Sequence, residues 1–404
     1  MSSLTAASLK AGLRDIFPRF ARTLAVITAA ATLVATAGCV AVPAVVAPAH
    51  CLPKGPVTAA SYQAMFDGWH DAAFSGADQV SAAVLPGGRS VWLFGDTLHG
   101  SLAKLGRQHA DRLSGGTHNS IMIWTGSCAR IIGSGKYPAA LPDEKDGSYY
   151  WASSAAVDRG KLLVFAQRTR TTTGGAMGFA PVGSALFAFA LNGGSDPVLV
   201  GKQSLPGGSN YSFGGAGIAS DAGYWYLYST NGPGVKGVYG SDVRLARAPK
   251  GSLDAVSSWQ YWDGTGWVAS WQAATTPQAA ILPAPAGVGT ALTVNRAADG
   301  SFVMLSKMNN IVGDYVASWT APAPQGPWTL SNPQLAYAPG GTPTKGSMTY
   351  GALAHPEARL ASGQLLISVC RGSFSLSDSL TRGNLYMPQF YEVTLPSGQL
   401  LPAT

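Results

Sequence analysis

Only three glutamates occur in the 404-residue chain, so the carboxyl groups available for acid–base chemistry can be sorted one by one. Glu144 lies in the polar loop Pro142-Asp143-Glu144-Lys145-Asp146, and Glu392 alternates with apolar residues in a strand-like run, so neither reads as a catalytic acid. Asp158, Asp221 and Asp299 occupy equivalent turns, while Asp196, Asp254 and Asp263 sit in loops, where aspartate is explained by its bonding to nearby backbone amides. Asp78 in Gly76-Ala77-Asp78-Gln79, Asp96 in Phe94-Gly95-Asp96-Thr97 and Glu357 in His355-Pro356-Glu357 remain. Hydrolysis of a glycosidic bond needs two carboxyls in opposed protonation states, one to protonate the leaving oxygen and one to act on the other side of the sugar. Asp78 and Glu357 are the expected essential pair, with Asp96 in support; Asp96 has a competing reading as a turn cap through Thr97. A charge at Glu357, beside a proline on a strand facing inward, is costly to bury without a purpose.

Other chemistries find less support. The six histidines are dispersed without a two-ligand spacing, so no zinc site is expected, while a divalent ion in an axial channel stays open with no ligands marked for it. Gly133-Ser134-Gly135-Lys136 lacks the long loop and following hydroxyl of a phosphate cradle, Gly214-Gly215-Ala216-Gly217 is not followed by a helical pattern, and no Gly-x-Ser-x-Gly elbow is present. No cofactor is expected. Trp151, Trp262 and Trp267 are flanked by polar or glycine residues and are candidates for stacking on sugar rings.

Residues so far apart can meet only if the fold gathers them, and a repeated unit supplies the means. A small-residue strand, a Gly- or Asp-containing turn, an apolar strand, a loop and a further strand recur about every 55 to 70 residues. The copies begin at Val80–Leu85, Ser153–Val157, Ala216–Ser220, Ala291–Asn295 and Ala352–Leu360, with turns at 86–88, 158–160, 221–223, 298–300 and 361–363. Five four-stranded units, none able to cover both of its faces alone, predict an all-β, five-bladed β-propeller; a two-sheet sandwich does not explain five equivalent turns. Inner strands converge on the axis, which would bring Asp78, Trp151, Phe213, Asn295, His355 and Glu357 near it.

The front of the chain reads as an export signal. Lys10, Arg14, Arg19 and Arg22 precede an apolar, Ala-rich run from Leu24 to Gly38, too short for the roughly 20 residues of a membrane span. Processing at the lipobox-like Thr36-Ala37-Gly38-Cys39, with a lipid anchor on Cys39, and cleavage after Ala47-Pro48-Ala49 are both open. Residues 1–50 are therefore assigned to signal and spacer, and 51–404 to one domain. Removing residues 1–50 takes away four basic groups and one acid, which lowers the formal charge from +7 to +4. With no basic, aromatic-interleaved stripe, nucleic acid is not an expected partner. The 50 glycines and 26 prolines suit short strands joined by tight turns. In an oxidising compartment Cys51 and Cys128 are the expected disulfide pair, and Cys370 a buried thiol.

Val91-Trp92-Leu93-Phe94-Gly95-Asp96-Thr97, His118-Asn119-Ser120, Tyr150-Trp151, Leu245-Ala246-Arg247-Ala248-Pro249, Tyr261-Trp262-Asp263-Gly264, Gly326-Pro327-Trp328 and His355-Pro356-Glu357 together resemble an actinobacterial family that includes endo-D-arabinanases. That family was long catalogued as a domain of unknown function, and the resemblance runs over nearly all of residues 60–397. It implies a five-bladed propeller acting on the D-arabinan of mycobacterial-type arabinogalactan and lipoarabinomannan, secreted or attached to the cell envelope and working as a monomer. Asp78 matches the family's first-blade aspartate, Asp96 the Gly-Asp-Thr aspartate and Glu357 the acid after His-Pro. Gln79, Asn119, Trp151, Arg168 and His355 are expected to contact the polysaccharide. The chain departs from the pattern at Tyr386-Met387-Pro388-Gln389-Phe390, where arginine is expected on either side of the proline.

Overall fold

A computed structural model describes residues 48–100, 117–133, 139–172, 178–232, 240–285, 287–309, 311–341, 346–375, 378–379 and 383–404. The leader with Cys39, and Ser134-Gly135-Lys136, lie outside the described residues. Alternation along the strands dictates the architecture. In Val91-Trp92-Leu93-Phe94, Val91 and Leu93 turn to one side and pack with Leu162, Val164 and Phe187, while Trp92 and Phe94 turn to the other and pack with Leu366 and Phe390. Each sheet is thus apolar on both faces and needs a neighbour on each, a requirement that only a closed ring of sheets meets.

Five antiparallel sheets form that ring. From the axis outward, the first blade runs Ser81–Leu85, Arg89–Phe94, Ser120–Thr125, Cys128–Ile132 and His50–Cys51, and the second Tyr149–Asp158, Lys161–Thr171, Phe179–Ala190 and Val198–Ser204. The third runs Gly217–Ser220, Tyr224–Asn231, Asp242–Pro249, Gln260–Trp262 and Trp267–Val268. The fourth is Val288–Ala297, Phe302–Met308, Tyr315–Ala321 and Thr329–Tyr337, and the fifth Met348–His355, Leu365–Gly372 and Gln389–Val393. The five inner strands touch one another in a closed cycle, and a separate apolar cluster fills each of the five gaps between blades. The chain is an all-β five-bladed propeller.

Three details differ from the sequence expectation. The fifth inner strand stops at His355 instead of reaching Leu360, because Pro356 has no N–H to continue the ladder. The blades are unequal, with five, four, five, four and three strands of their own among the described residues, and Leu400–Leu401 adds to the inner edge of the fourth. A helix, Ala59–Asp67, wedges its Tyr62, Met65 and Phe66 against Trp92 and Phe390 at the seam between the first and last blades. Thr58 caps it by accepting the Ser61 N–H, and Glu392 accepts the N–H of Ala59 at 2.9 Å, which gives that acid its structural role. Cys51 and Cys128 face each other on paired strands and form the disulfide; Cys370 is a buried free thiol.

The axial channel has two unlike ends. Contacts join the first residues of inner strands at one end, where Tyr350 meets Asp78 and Trp151 meets Asp96. At the other end Leu400–Leu401 pairs with Arg296 and Ala297, Asn295 donates to the Leu401 carbonyl, and Thr404 bonds Ser220 and Lys250 of the third blade. Residues 400–404 thereby form a strap between the fourth and third blades at that end, and Pro402 and Ala403 become part of the channel wall.

Candidate active site

Asp78 and Asp96 are brought side by side by backbone, before any side chain takes part. Gly76–Ala77 pairs with Thr97–Leu98 in a two-stranded ribbon, and beyond it the Asp78 N–H donates to the Asp96 carbonyl and the Gly95 N–H to the Asp78 carbonyl. Glycine at 95 is a steric necessity: a Cβ there would lie 2.5 Å from Asp78 Oδ1. Gly76 plays the same part on the other side, where a Cβ would strike the Tyr386 carbonyl oxygen. Gln79, immediately after the acid, adopts φ 55°, a left-handed conformation that costs a non-glycine residue of order 1 kcal/mol or more. Its N–H is satisfied by the Cys370 sulfur at 2.9 Å, so the buried thiol forms the floor beneath a strained corner. Burial pushes that thiol up to about 12, with the Asp78 charge adding to the rise.

The Asp78 carboxyl sits in a recess with restricted access to solvent. Loss of hydration, and then the neighbouring Asp96 charge, raise it to about 7, against the hydroxyls of Tyr386 and Tyr350 and the Asp96 backbone N–H, which all favour the ionised form. The Tyr350 hydroxyl donates to Asp78 Oδ2 at 2.9 Å. Both tyrosines are themselves raised well above the ordinary phenol range, chiefly by burial, and so remain protonated donors. Tyr386, from the segment just before Pro388, sets a second phenol on the acid.

Asp96 is held differently. Its Oδ1 accepts from Trp151 Nε1 at 2.8 Å and is bonded to His118 Nδ1 at 3.1 Å, and its side chain is 35% exposed. The turn-cap reading fails, because the Thr97 hydroxyl bonds the Gly95 carbonyl and Ser120 while the Asp96 carboxylate is engaged by Trp151 and His118 instead. Trp151 is wedged edge-on between Tyr149 and Phe179, so its ring is fixed while its N–H serves Asp96. Asp143 reaches the same rim from its loop; loss of hydration and Asp96 raise it, against the pull of His118.

The structure separates the other expected site residues from this pair. Glu357 lies beyond the last residue of the fifth inner strand, whose first residues hold Tyr350 on Asp78; at about 3.3 Å per strand residue that is roughly 15 Å or more away. There Glu357 is 7% exposed and accepts from Trp92 Nε1 at 2.8 Å, with His355 Nδ1 at 3.1 Å. Its buried charge does have a purpose, and the purpose is to tie the last blade to the first. His355 is fully buried, its second nitrogen on Ser368 at 2.7 Å, and is sealed from substrate. Asn119 spends its whole amide on backbone, donating to the Leu141 and Tyr150 carbonyls and accepting from the N–H groups of Ala140 and Leu141. Arg168 bonds Ser148 and Asp146, and Trp262 pairs with Trp267 on the outer part of the third blade. Asp158 departs from its expected turn role as well: buried, it accepts from Trp225 Nε1 and the N–H groups of Gly251 and Leu253, clasping the second blade to the third.

Sequence reasoning passed over His118, Tyr350, Tyr386 and Asp143. His118 stood next to the clamping Asn119, and Tyr350 lies two residues before the predicted start of the fifth inner strand, inside the observed one. Among the described residues no group of three or more His, Cys, Asp or Glu could hold a metal ion.

The molecule is therefore a propeller with two neighbouring acids at one end of its axis. Residues 59–395 match the family described as a domain of unknown function, DUF5005, and the chain belongs to it. No curated protein matches. Among solved structures, a provisionally assigned hydrolase from Bacteroides ovatus is similar with a TM-score of 0.63 and 19% identity, over 82% of this chain and 88% of that one. A GH43_1 enzyme from Xanthomonas citri, solved with xylose, aligns with a TM-score of 0.46 and 15% identity, over 81% and 91% of the two chains. At these identities the likeness is one of fold.

Proposed function

We propose that this protein is a glycoside hydrolase whose acid pair is Asp78 and Asp96. The observation that carries the reading is the unequal treatment of two adjacent carboxyls. Asp78, recessed and raised to about 7, holds a proton near neutral pH and can give it to a glycosidic oxygen. Asp96, half-exposed and receiving N–H donors from Trp151 and His118, is the carboxylate partner on the solvent side. It acts on a water or on the sugar carbon itself, and the separation of the two carboxyls in the bound state decides between inversion and retention.

The motif resemblance directs the substrate toward D-arabinofuranosyl linkages of mycobacterial-type arabinogalactan and lipoarabinomannan. The Cys51–Cys128 disulfide supports work outside the cytoplasm, in keeping with the leader. Incubation of purified protein with mycobacterial arabinan, beside an Asp78→Asn variant, tests the reading: oligosaccharides should accumulate with the wild type and not with the variant. Binding of arabinan without fragments from the wild type would make the propeller a glycan-binding module instead.

A further inference from the structure

His118 is held as no other polar side chain at the acid end is held. Its ring lies flat on Tyr149, with centroids 3.6 Å apart and planes within 15°, and Nδ1 is engaged by Asp96 at 3.1 Å. The backbone around it is pinned: the Thr117 carbonyl accepts the Thr97 N–H, and Asn119 grips Ala140, Leu141 and Tyr150. The side chain is 17% exposed, and Nε2 has no hydrogen-bond partner among the described residues. The imidazole therefore has one nitrogen and one face fixed and its other nitrogen unengaged among the described residues, with Asp143 near enough to feel both His118 and Asp96. Orienting an imidazole through a carboxylate on one nitrogen, so that the other meets a reacting molecule, is a recurrent device for using histidine.

We propose that His118 is a substrate-contacting residue, whose Nε2 hydrogen-bonds a sugar hydroxyl and registers the furanose ring against Asp96. The proposal rests on the glycosidase reading and adds to it a specificity-determining contact. With Nδ1–H donated to Asp96, the neutral ring offers Nε2 as an acceptor, whereas Asp96 and Asp143 when ionised offer only carboxylate oxygens. A sugar hydroxyl that donates to Nε2 supplies the partner this nitrogen lacks among the described residues, and an analogue without that hydroxyl cannot.

The two amide side chains separate this role from a structural one, because asparagine approximates Nδ1 and glutamine approximates Nε2. In an Asp78→Asn background, which stops turnover, affinity for D-arabinan oligosaccharides is measured by calorimetry for the parent, for added His118→Asn and for added His118→Gln. Loss of one such contact corresponds to about tenfold weaker binding. His118→Asn is expected to keep the Asp96 bond and the melting temperature yet bind about tenfold more weakly, and His118→Gln to recover most of the affinity. Equal binding by His118→Asn and the parent, or a loss in His118→Gln as large as in His118→Asn, overturns the proposal while the hydrolase reading stands on wild-type fragments. A parent that binds no oligosaccharide, with a wild type that releases no fragments, overturns both.

Discussion

The two ends of the axial channel hold acids under opposite terms. Glu357, at the strapped end, is nearly sealed from solvent yet fully employed, with an indole N–H and an imidazole on one oxygen. Asp78, at the other, is recessed beside a second carboxyl, and loss of hydration outweighs the hydroxyls that hold it. Two acids withdrawn from water thus differ in their neighbours: an indole N–H and an imidazole face Glu357, whereas a second carboxyl stands beside Asp78. One end spends its polar groups on joining blades, and the other keeps a proton in play.

The sharpest way to break this contrast is to remove each acid in turn and assay arabinan cleavage. Asp78→Asn should lower the rate by about a thousandfold, within the range for loss of a positioned acid or base, while Glu357→Gln should stay within a few-fold of wild type. A matching collapse in Glu357→Gln would show that the far end takes part in chemistry. In thermal or denaturant unfolding the ranking should invert: Glu357→Ala leaves Trp92 Nε1 and His355 without their acceptor, and should cost about 2–3 kcal/mol.

A subtler effect follows from the raised carboxyl. Below about pH 4 Asp78 is protonated in both folded and unfolded chains and contributes nothing. Between that and about pH 7 the unfolded chain releases the proton while the folded one retains it, so stability falls as pH rises. Asp78→Asn removes this decline, and above pH 7 should be more stable than wild type by roughly 1–3 kcal/mol, with the gain vanishing near pH 4. Urea unfolding at the two pH values checks the sign. The smallest expected effect is that of Tyr350→Phe. Loss of a donor that favours the ionised form should move the upper limb of the activity profile up by about one pH unit, leaving the fold intact.

Much of the fold was written in local patterns. The five inner strands, the Asp/Gly turns and the alternation of Val91-Trp92-Leu93-Phe94 are each visible in a few residues, because a blade is built from near neighbours, although the second and fifth inner strands begin four residues earlier than their pattern, at Tyr149 and Met348. The site was harder, since its members are joined across blades. Asp78 and Asp96 emerged from eliminating acids with local explanations, and the structure sets them together. Glu357 passed the same filter because its partner, Trp92, lies 265 positions away in sequence and leaves no local trace. Asn119 and His355 illustrate the converse error: polar residues beside a site can be spent wholly on backbone or on the neighbouring blade. His118 stood in a quoted motif but was given no role, since an isolated histidine acquires meaning only through the carboxylate and ring that orient it.

The short run at residues 400–404 has a consequence for any long ligand. Running from the inner edge of the fourth blade to the third, it ties two neighbouring blades together and places Pro402 and Ala403 against the central passage. Asp78 and Asp96 stand at the opposite end, so a polymer lying on their rim reaches the two acids without meeting this run.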